Sequence, residues 1–471
     1  MAVNGDMDPS NQTGDACPLK QCAALHRDIH VIPKKAVGGK GSYIFLEDGQ
    51  KVLDSTGGAA VSCLGHGNEE VKQAMLAQIN QLSFCHSGFF GTQAFEDLAS
   101  FLVESTGGKL SKLYVISSGS EAMEAAMKLA RQYFLELPTP QPQRTRFIAR
   151  RQSYHGITLG ALSMGGHVGR RAPFEPLLLP NVSHVSPCYP YRGRRDGESD
   201  TDYIARLADE LDAEFQRVGP DTVCAFVAEP IVGAALGCVP ALPGYLTAMK
   251  AVCDKYGALL ILDEVMCGMG RSGTLHAWEQ EGVVPDIQTL GKGLGGGYAP
   301  VSGVLIGSKI VDALDKGTGV FRHGQTYQGH PVSCAAALAV QRIIKEQNLL
   351  ENVRNMGALL ERELRARLEN HPLVGDIRGK GLFWGIEFVK DKTTKEPFDP
   401  KLGIASKLQE TAMKPPHSIS LYPGTGTVDG VRGDHVLLAP PYNTTREEIE
   451  LIASTTAKVV EDVFASIKSE V

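Results

Sequence analysis

The chain has 471 residues, of which 43% are hydrophobic and 21% charged, and a formal net charge of −6. That length exceeds one comfortable core and predicts two or three lobes of ordinary globular composition. The weak negative charge excludes a basic field for nucleic acid or an anionic membrane, and no apolar run approaches the roughly 20 residues that span a bilayer.

The ten cysteines are scattered without a CxxC pair, the pattern of reduced intracellular thiols rather than a disulfide framework. Residues 1–16 carry three aspartates and no lysine or arginine, unlike a secretory signal or a basic transit peptide. The C-terminal Lys-Ser-Glu-Val is not a common retention or peroxisomal address. Cytoplasm is the expected compartment.

Along the chain, residues 1–25 read as a loose leader. Residues 43–53 alternate around a turn at 47–50, which predicts a hairpin. From about 60 to 330, short apolar runs alternate with helical patterns, predicting a large α/β domain with a mainly parallel sheet covered by helices. Strands are expected at 113–117, 146–149, 223–228, 259–262, 287–290 and 301–306, with helices between them, one at 245–256. The proline-rich stretch 137–145 and the polar stretch 190–202 are expected on the surface. Past 330 the character changes: a long helical region (332–370), a partly alternating stretch (376–389), a strand (435–439) and a terminal helix. Thr445-x-x-Glu448 opens that helix as a capping box, and Ile449, Ile452, Val459, Val463 and Ile467 follow helical spacing. Residues 331–471 therefore form a smaller α+β domain, completed by the N-terminal segment 26–59.

Two residues carry the chemistry. The apolar strand Leu259-Leu-Ile-Leu ends on Asp263, and Gly291-Lys-Gly-Leu-Gly-Gly-Gly places Lys292 in a glycine-rich turn. A buried acid and a buried lysine are each costly unless paired or used. One chemistry wants both: a lysine that forms a Schiff base with an aldehyde cofactor, and an acid that keeps a pyridine nitrogen protonated. That cofactor is pyridoxal 5'-phosphate (PLP). The letters Gly291-x-Gly293-x-x-Gly296 also match a dinucleotide fingerprint, but no helix opens cleanly after them.

Other residues acquire meaning in that company. Ser118-Gly119-Ser120 is a turn between a strand and a helix bearing Met123, Met127, Ala130 and Phe134 on one face. It serves as a helix cap, with Glu121 completing a box, or as a phosphate cradle at a positive helix end. Tyr154, followed by His155, sits where a parallel sheet keeps its ligands, as a loop aromatic or a stacking partner for a ring. Val265 packs either against that ring or in the core. His323 and His330 are seven apart and read as structural, and no metal is assigned.

With these motifs the chain resembles a class III (subgroup II) aminotransferase of PLP fold type I, from about residue 30 to the end. The resemblance is carried in order by Ser118-Gly-Ser-Glu-Ala-Met-Glu, Tyr154-His-Gly, Ala228-Glu-Pro, Leu262-Asp-Glu-Val-Met-Cys-Gly-Met-Gly-Arg-Ser-Gly, Leu290-Gly-Lys-Gly-Leu-Gly-Gly-Gly and His323-Gly-Gln-Thr-Tyr-Gln-Gly-His-Pro. It implies a seven-stranded large-domain sheet, Lys292 as the Schiff-base lysine and Asp263 as the pyridinium partner. It further implies phosphate contacts at Ser118, Gly119 and Ser120, a ring stack on Tyr154 beside His155, and Glu229 near the ring. Thr326 resembles a threonine that reaches the phosphate of the neighbouring subunit, implying a homodimer with shared sites. Ala60, Phe89 and Phe90 align with pocket positions; Met266, Cys267 and Met269 depart from the frequent family pattern, which bears on the substrate pocket. Arg378 resembles a family arginine for a carboxylate, and Arg432 lies near the mobile arginine of ω-amino acid transaminases; either can instead cap a turn.

The resemblance implies a ping-pong aminotransferase passing nitrogen from an amine or ω-amino acid to pyruvate or 2-oxoglutarate. A decarboxylating transaminase or an aminomutase shares the scaffold, and a non-catalytic protein retaining the fold is the alternative of a different class.

Overall fold

Uninterrupted apolar strands shape the large domain. Val223–Ala228, Leu259–Asp263 and Ile287–Leu290 are buried along their whole length, as strands covered on both faces must be. The computed structural model describes residues 23–467; the expectation for residues 1–22 and for 468–471 lies outside them. The seven-stranded sheet runs in the order Leu110–Ile116, Ser302–Gly307, Ile287–Leu290, Leu259–Asp263, Val223–Ala228, Arg146–Arg150, Val182–Val185. All pairs are parallel except the two made by Ser302–Gly307. The C-terminal ends of Leu110–Ile116, Arg146–Arg150, Val223–Ala228, Leu259–Asp263 and Ile287–Leu290 therefore lie on one edge, and the antiparallel strand enters from it. The edge strand Val182–Val185 (Val-Ser-His-Val) escapes the sequence reading because only its last residue is buried.

The small domain has a four-stranded antiparallel sheet in the order Val374–Lys380, Phe383–Phe388, Asp434–Leu438, Tyr422–Thr425. Helices Leu349–Leu368, Ile404–Met413 and Arg446–Ser466 cover it. The expected capping box is present in both halves: Glu448 N–H donates to Thr445 Oγ1 at 3.3 Å, and Thr445 N–H to the Glu448 carboxylate at 3.1 Å. The five apolar positions picked from helical spacing are all buried. The hairpin expected at 43–53 forms and gains a third strand, Ala36–Lys40. It joins the small domain through Leu53, whose N–H donates to the Ser418 carbonyl and whose carbonyl accepts from Ser420 N–H, both at 2.9 Å.

Helix Pro331–Glu346 belongs to both cores. Cys334, Ala337 and Leu338 pack with Leu98 and Leu305 of the large domain, while Ala336, Val340 and Ile343 join the small-domain core. The stretch 190–202 is less of an excursion than its composition predicts. Pro190–Gly193 is helical, Arg192 reaches the buried Glu387 at 2.6 Å, and Ser199 caps the helix Asp200–Val218. A short polar segment can thus be pinned by partners far off in sequence, here Glu387 together with Lys395, whose carbonyl accepts from Arg192 Nη1 and whose Nζ donates to the Tyr191 carbonyl. Among the described residues no helix is long and apolar enough to cross a membrane.

Candidate functional site

The loops leaving the strand ends enclose a cavity of about 260 Å³, whose walls include Ser118–Ser120, Tyr154, Glu229, Asp263, Val265 and Lys292. Ligands of open α/β sheets bind at this edge. Strand order thus brings together residues spread over more than a third of the chain.

Asp263 ends its strand 5% exposed. Oδ2 accepts from His155 Nδ1 at 2.7 Å, and Oδ1 accepts from Thr289 Oγ1 at 2.9 Å and from Val265 N–H at 3.1 Å. Three donors fix the carboxylate's direction. His155 Nε2 is buried and has no partner, so the ring's polar capacity beyond Asp263 is unspent. Glu264 alternates to the other side of the chain and accepts from the N–H groups of Ala277 and Trp278 at 2.6 and 2.8 Å; burial pushes its carboxyl up to about 8.

Lys292 stands at the start of a short 3-10 turn with φ of +43°. A left-handed conformation costs a non-glycine residue about 1–2 kcal/mol, and such strain concentrates at functional sites. Its Nζ has no hydrogen bond among the described residues. Burial holds the amine below its ordinary 10.5, against the opposing pull of Asp263 and Glu229. Val265 is wedged between the two glycine turns: a Cβ on Gly119 would lie 2.8 Å from its Cγ1, and one on Gly291 3.0 Å. Val265 thus accounts for Gly119, while at Gly291 it acts together with Ser302, whose Oγ would lie 2.6 Å from the added Cβ.

The phosphate end is built by the helix Gly119–Glu136. Ser118 Oγ accepts from Glu121 N–H at 3.3 Å, and the Glu121 carboxylate accepts from Ser117 N–H at 3.2 Å and from Ser118 Oγ at 3.0 Å. The N–H groups of Gly119 and Ser120 have no intrahelical acceptor, which suits an anion. Glu229 acts on Tyr154: its Oε1 accepts from Tyr154 N–H and its Oε2 from Gly233 N–H, each at 3.1 Å. An unbonded, half-buried lysine, a clamped carboxylate, an aromatic wall and a helix start fit PLP.

Other expected residues fall elsewhere. Ala60 is buried with φ of +63° and packs in one apolar cluster with Met266; Val61 and Met266 line the cavity, and apolar type alone does not single out Val61. Phe89 and Phe90 are exposed at 79% and 64%, and Thr326 is exposed on the 318–330 loop. Arg432 donates from Nε to Asp429 at 2.7 Å. Arg378 is buried, and its guanidinium is spent on Asp376 (2.9 Å), Glu387 (2.6 Å) and the carbonyls of Gly237 (2.9 Å) and Leu236. It does not reach the cavity that holds Lys292. His323 contacts Lys128 at 2.9 Å, and His330 caps the helix Pro331–Glu346.

Residues 23–460 match the family described as Aminotransferase class-III. An aminotransferase of Gibberella zeae is 57% identical over 437 residues, covering 93% of this chain and 85% of the relative. Gamma aminobutyrate transaminase 3, chloroplastic, of Solanum lycopersicum is 35% identical over 428 residues, covering 90% and 79%. The crystal structure of a thermostable (S)-enantioselective omega-transaminase from Thermomicrobium roseum superposes with a TM-score of 0.88 at 36% identity, covering 94% of this chain and 97% of that one.

Two outcomes follow from this geometry. Arg378→Ala, which removes one member of a buried charge network, lowers folding stability by about 3–5 kcal/mol, read from a denaturant melt. The KM for a 2-oxo acid is unchanged in the protein that remains folded; a raised KM would put Arg378 at the substrate. In the cofactor-free protein, reductive methylation followed by mass spectrometry gives Lys292 a titration midpoint below 10.5, because burial favours the neutral amine. A midpoint at or above that of exposed lysines contradicts it.

Proposed function

Because the chain belongs to the class III aminotransferase family, we propose that it moves an amino group from an amine or ω-amino acid to pyruvate or 2-oxoglutarate by a ping-pong sequence. It is a PLP-dependent transaminase; the donor, the acceptor and the residue roles are our reading. One observation carries them: Lys292 is half-buried without a hydrogen bond and shares its cavity with Asp263, Tyr154 and the start of the helix Gly119–Glu136.

PLP, when bound, supplies an electron sink that lets the donor's Cα proton leave. Lys292 Nζ holds the cofactor and moves that proton, and its lowered pKa makes the neutral amine accessible. Asp263 holds a proton at the pyridine nitrogen, kept in place by His155, Thr289 and the Val265 N–H. The N–H groups of Gly119 and Ser120 and the Ser118 turn bind the phosphate. Tyr154 walls the ring, oriented by Glu229, and Val265 closes the opposite side against both glycine turns.

The working unit in this reading is a homodimer with shared sites. Leu76, Ile79, Leu82, Phe84, Phe89 and Phe90 are exposed within one stretch of chain, and the Phe84 ring lies 5.7 Å from exposed Tyr327, next to Thr326. An apolar surface of that extent marks an interface, and it supports Thr326, Phe89 and Phe90 completing the partner's site. We place the protein in the cytoplasm; the described cysteines are all free thiols, which supports a reducing compartment.

Replacing the proton carrier tests the reading. Lys292→Ala loses at least ~10²–10⁴-fold in transamination with any donor, while Asp263→Asn lowers kcat more than it raises KM, measured by steady-state kinetics. Wild-type-like turnover in Lys292→Ala would contradict the assignment.

A further inference from the structure

Arg378, Arg432 and Arg170 meet very different surroundings. Arg378 has its donors spent on buried partners. Arg432 is turned onto Asp429 within its own loop. Arg170, which the sequence did not single out, has its guanidinium 4.6 Å from the centre of the Tyr154 ring, and that guanidinium makes no hydrogen bond or ion pair among the described residues. Its neighbour Arg171 supplies the contrast: Nη1 donates to the carbonyls of Ser163 and Gly165, both at 2.7 Å, and Nη2 faces Glu175 at 3.3 Å. One arginine pins the helix Val168–Arg171 while the next is held on an aromatic face with its donors unspent.

The placement is built rather than accidental. Gly169 N–H donates to the Gly430 carbonyl at 3.1 Å, and a Cβ on Gly430 would lie 2.8 Å from Val168 Cβ. Gln152 Nε2 donates to the Thr427 and Val428 carbonyls at 3.0 and 2.5 Å. The small-domain loop 426–433 thereby closes on the segment carrying Arg170 and on the approach to Tyr154, which itself lines the Lys292 cavity. Among the described residues the only acids lining that cavity are Asp263 and Glu229, both already engaged. A guanidinium stacked on a ring keeps its in-plane donors available for a carboxylate.

We propose that Arg170 binds the carboxylate of the 2-oxo acid acceptor and of acidic donors at the mouth of the site, with Tyr154 as its platform. This rests on the proposed 2-oxo acid acceptor. It assigns Arg432 to holding its own loop. Substrates without a carboxylate do not use Arg170.

The test uses PLP-loaded protein and the variants Arg170→Met, Arg170→Lys and Arg432→Met. Arg170→Met keeps apolar cover on Tyr154 and removes the charge. The KM for pyruvate or 2-oxoglutarate is read alongside the rate of the half-reaction with a carboxylate-free amine. Inhibition of that half-reaction by propionate, which cannot be aminated, reports the carboxylate site alone. Arg170→Met raises KM for the 2-oxo acid and Ki for propionate roughly ten- to a hundredfold. The carboxylate-free half-reaction stays within about twofold, and Arg170→Lys recovers part of the loss. Unchanged propionate inhibition in Arg170→Met, or a shift confined to Arg432→Met, overturns the proposal. So does an equal slowing of the carboxylate-free amine, which would make Arg170 a support for Tyr154. If neither 2-oxo acid is aminated by the wild type but propionate still binds more weakly to Arg170→Met, the acceptor reading falls and the carboxylate site stands.

Discussion

A buried carboxylate and a half-buried amine sharing one cavity at one sheet edge are the constraint on which the rest depends. Neither Asp263 nor Lys292 is stable there without help. The protein supplies it unequally: Asp263 is clamped by three donors, whereas Lys292 is left without a bond. The clamped group orients and the unclamped group reacts, and this asymmetry is what a cofactor bridging the two requires. The surrounding architecture follows from it. Parallel strands deliver both residues to the same edge, the glycine turns allow Val265 to fill the space between them, and Glu229 is committed to Tyr154 instead of to Lys292.

The outer parts of the site follow the same economy of polar groups. A buried arginine with four partners cannot also receive a substrate, so Arg378 ties the small-domain sheet to the 189–198 segment through Glu387, which also holds Arg192. Burial there serves domain assembly. At the mouth the reverse holds, since Arg170 rests on an aromatic face that satisfies it only partly. Neighbouring arginines with the same chemistry thus receive opposite tasks according to what surrounds them.

Much of this was legible in the residue order, and the failures have physical causes. The strands at 223–228 and 287–290 were readable because burial on both faces demands unbroken apolar runs, and the terminal helix because its cap and spacing are local. Val182–Val185 was not, since an edge strand needs no such run. The reversed direction of Ser302–Gly307 leaves no mark on periodicity, which is blind to strand polarity. Asp263 and Lys292 stood out because their positions are costly. Arg378 resembles a family arginine for a carboxylate, but its partners Gly237 and Leu236 lie 141 and 142 residues away, beyond what local sequence reveals. Arg170 escapes a sequence reading for the same reason: its relation to Tyr154, 16 residues earlier in the chain, exists only in the folded structure. Residue type shows which groups can act, and tertiary pairing decides which remain available.

The measurement that tests the central claim most directly is the visible absorbance of the PLP-loaded protein, before and after adding an amine and then a 2-oxo acid. The account predicts a band that depends on Lys292, bleaches with amine and returns with pyruvate or 2-oxoglutarate. A wild-type protein with no such band, or one whose band is identical in Lys292→Ala, would contradict the assignment of Lys292 as the residue that holds the cofactor.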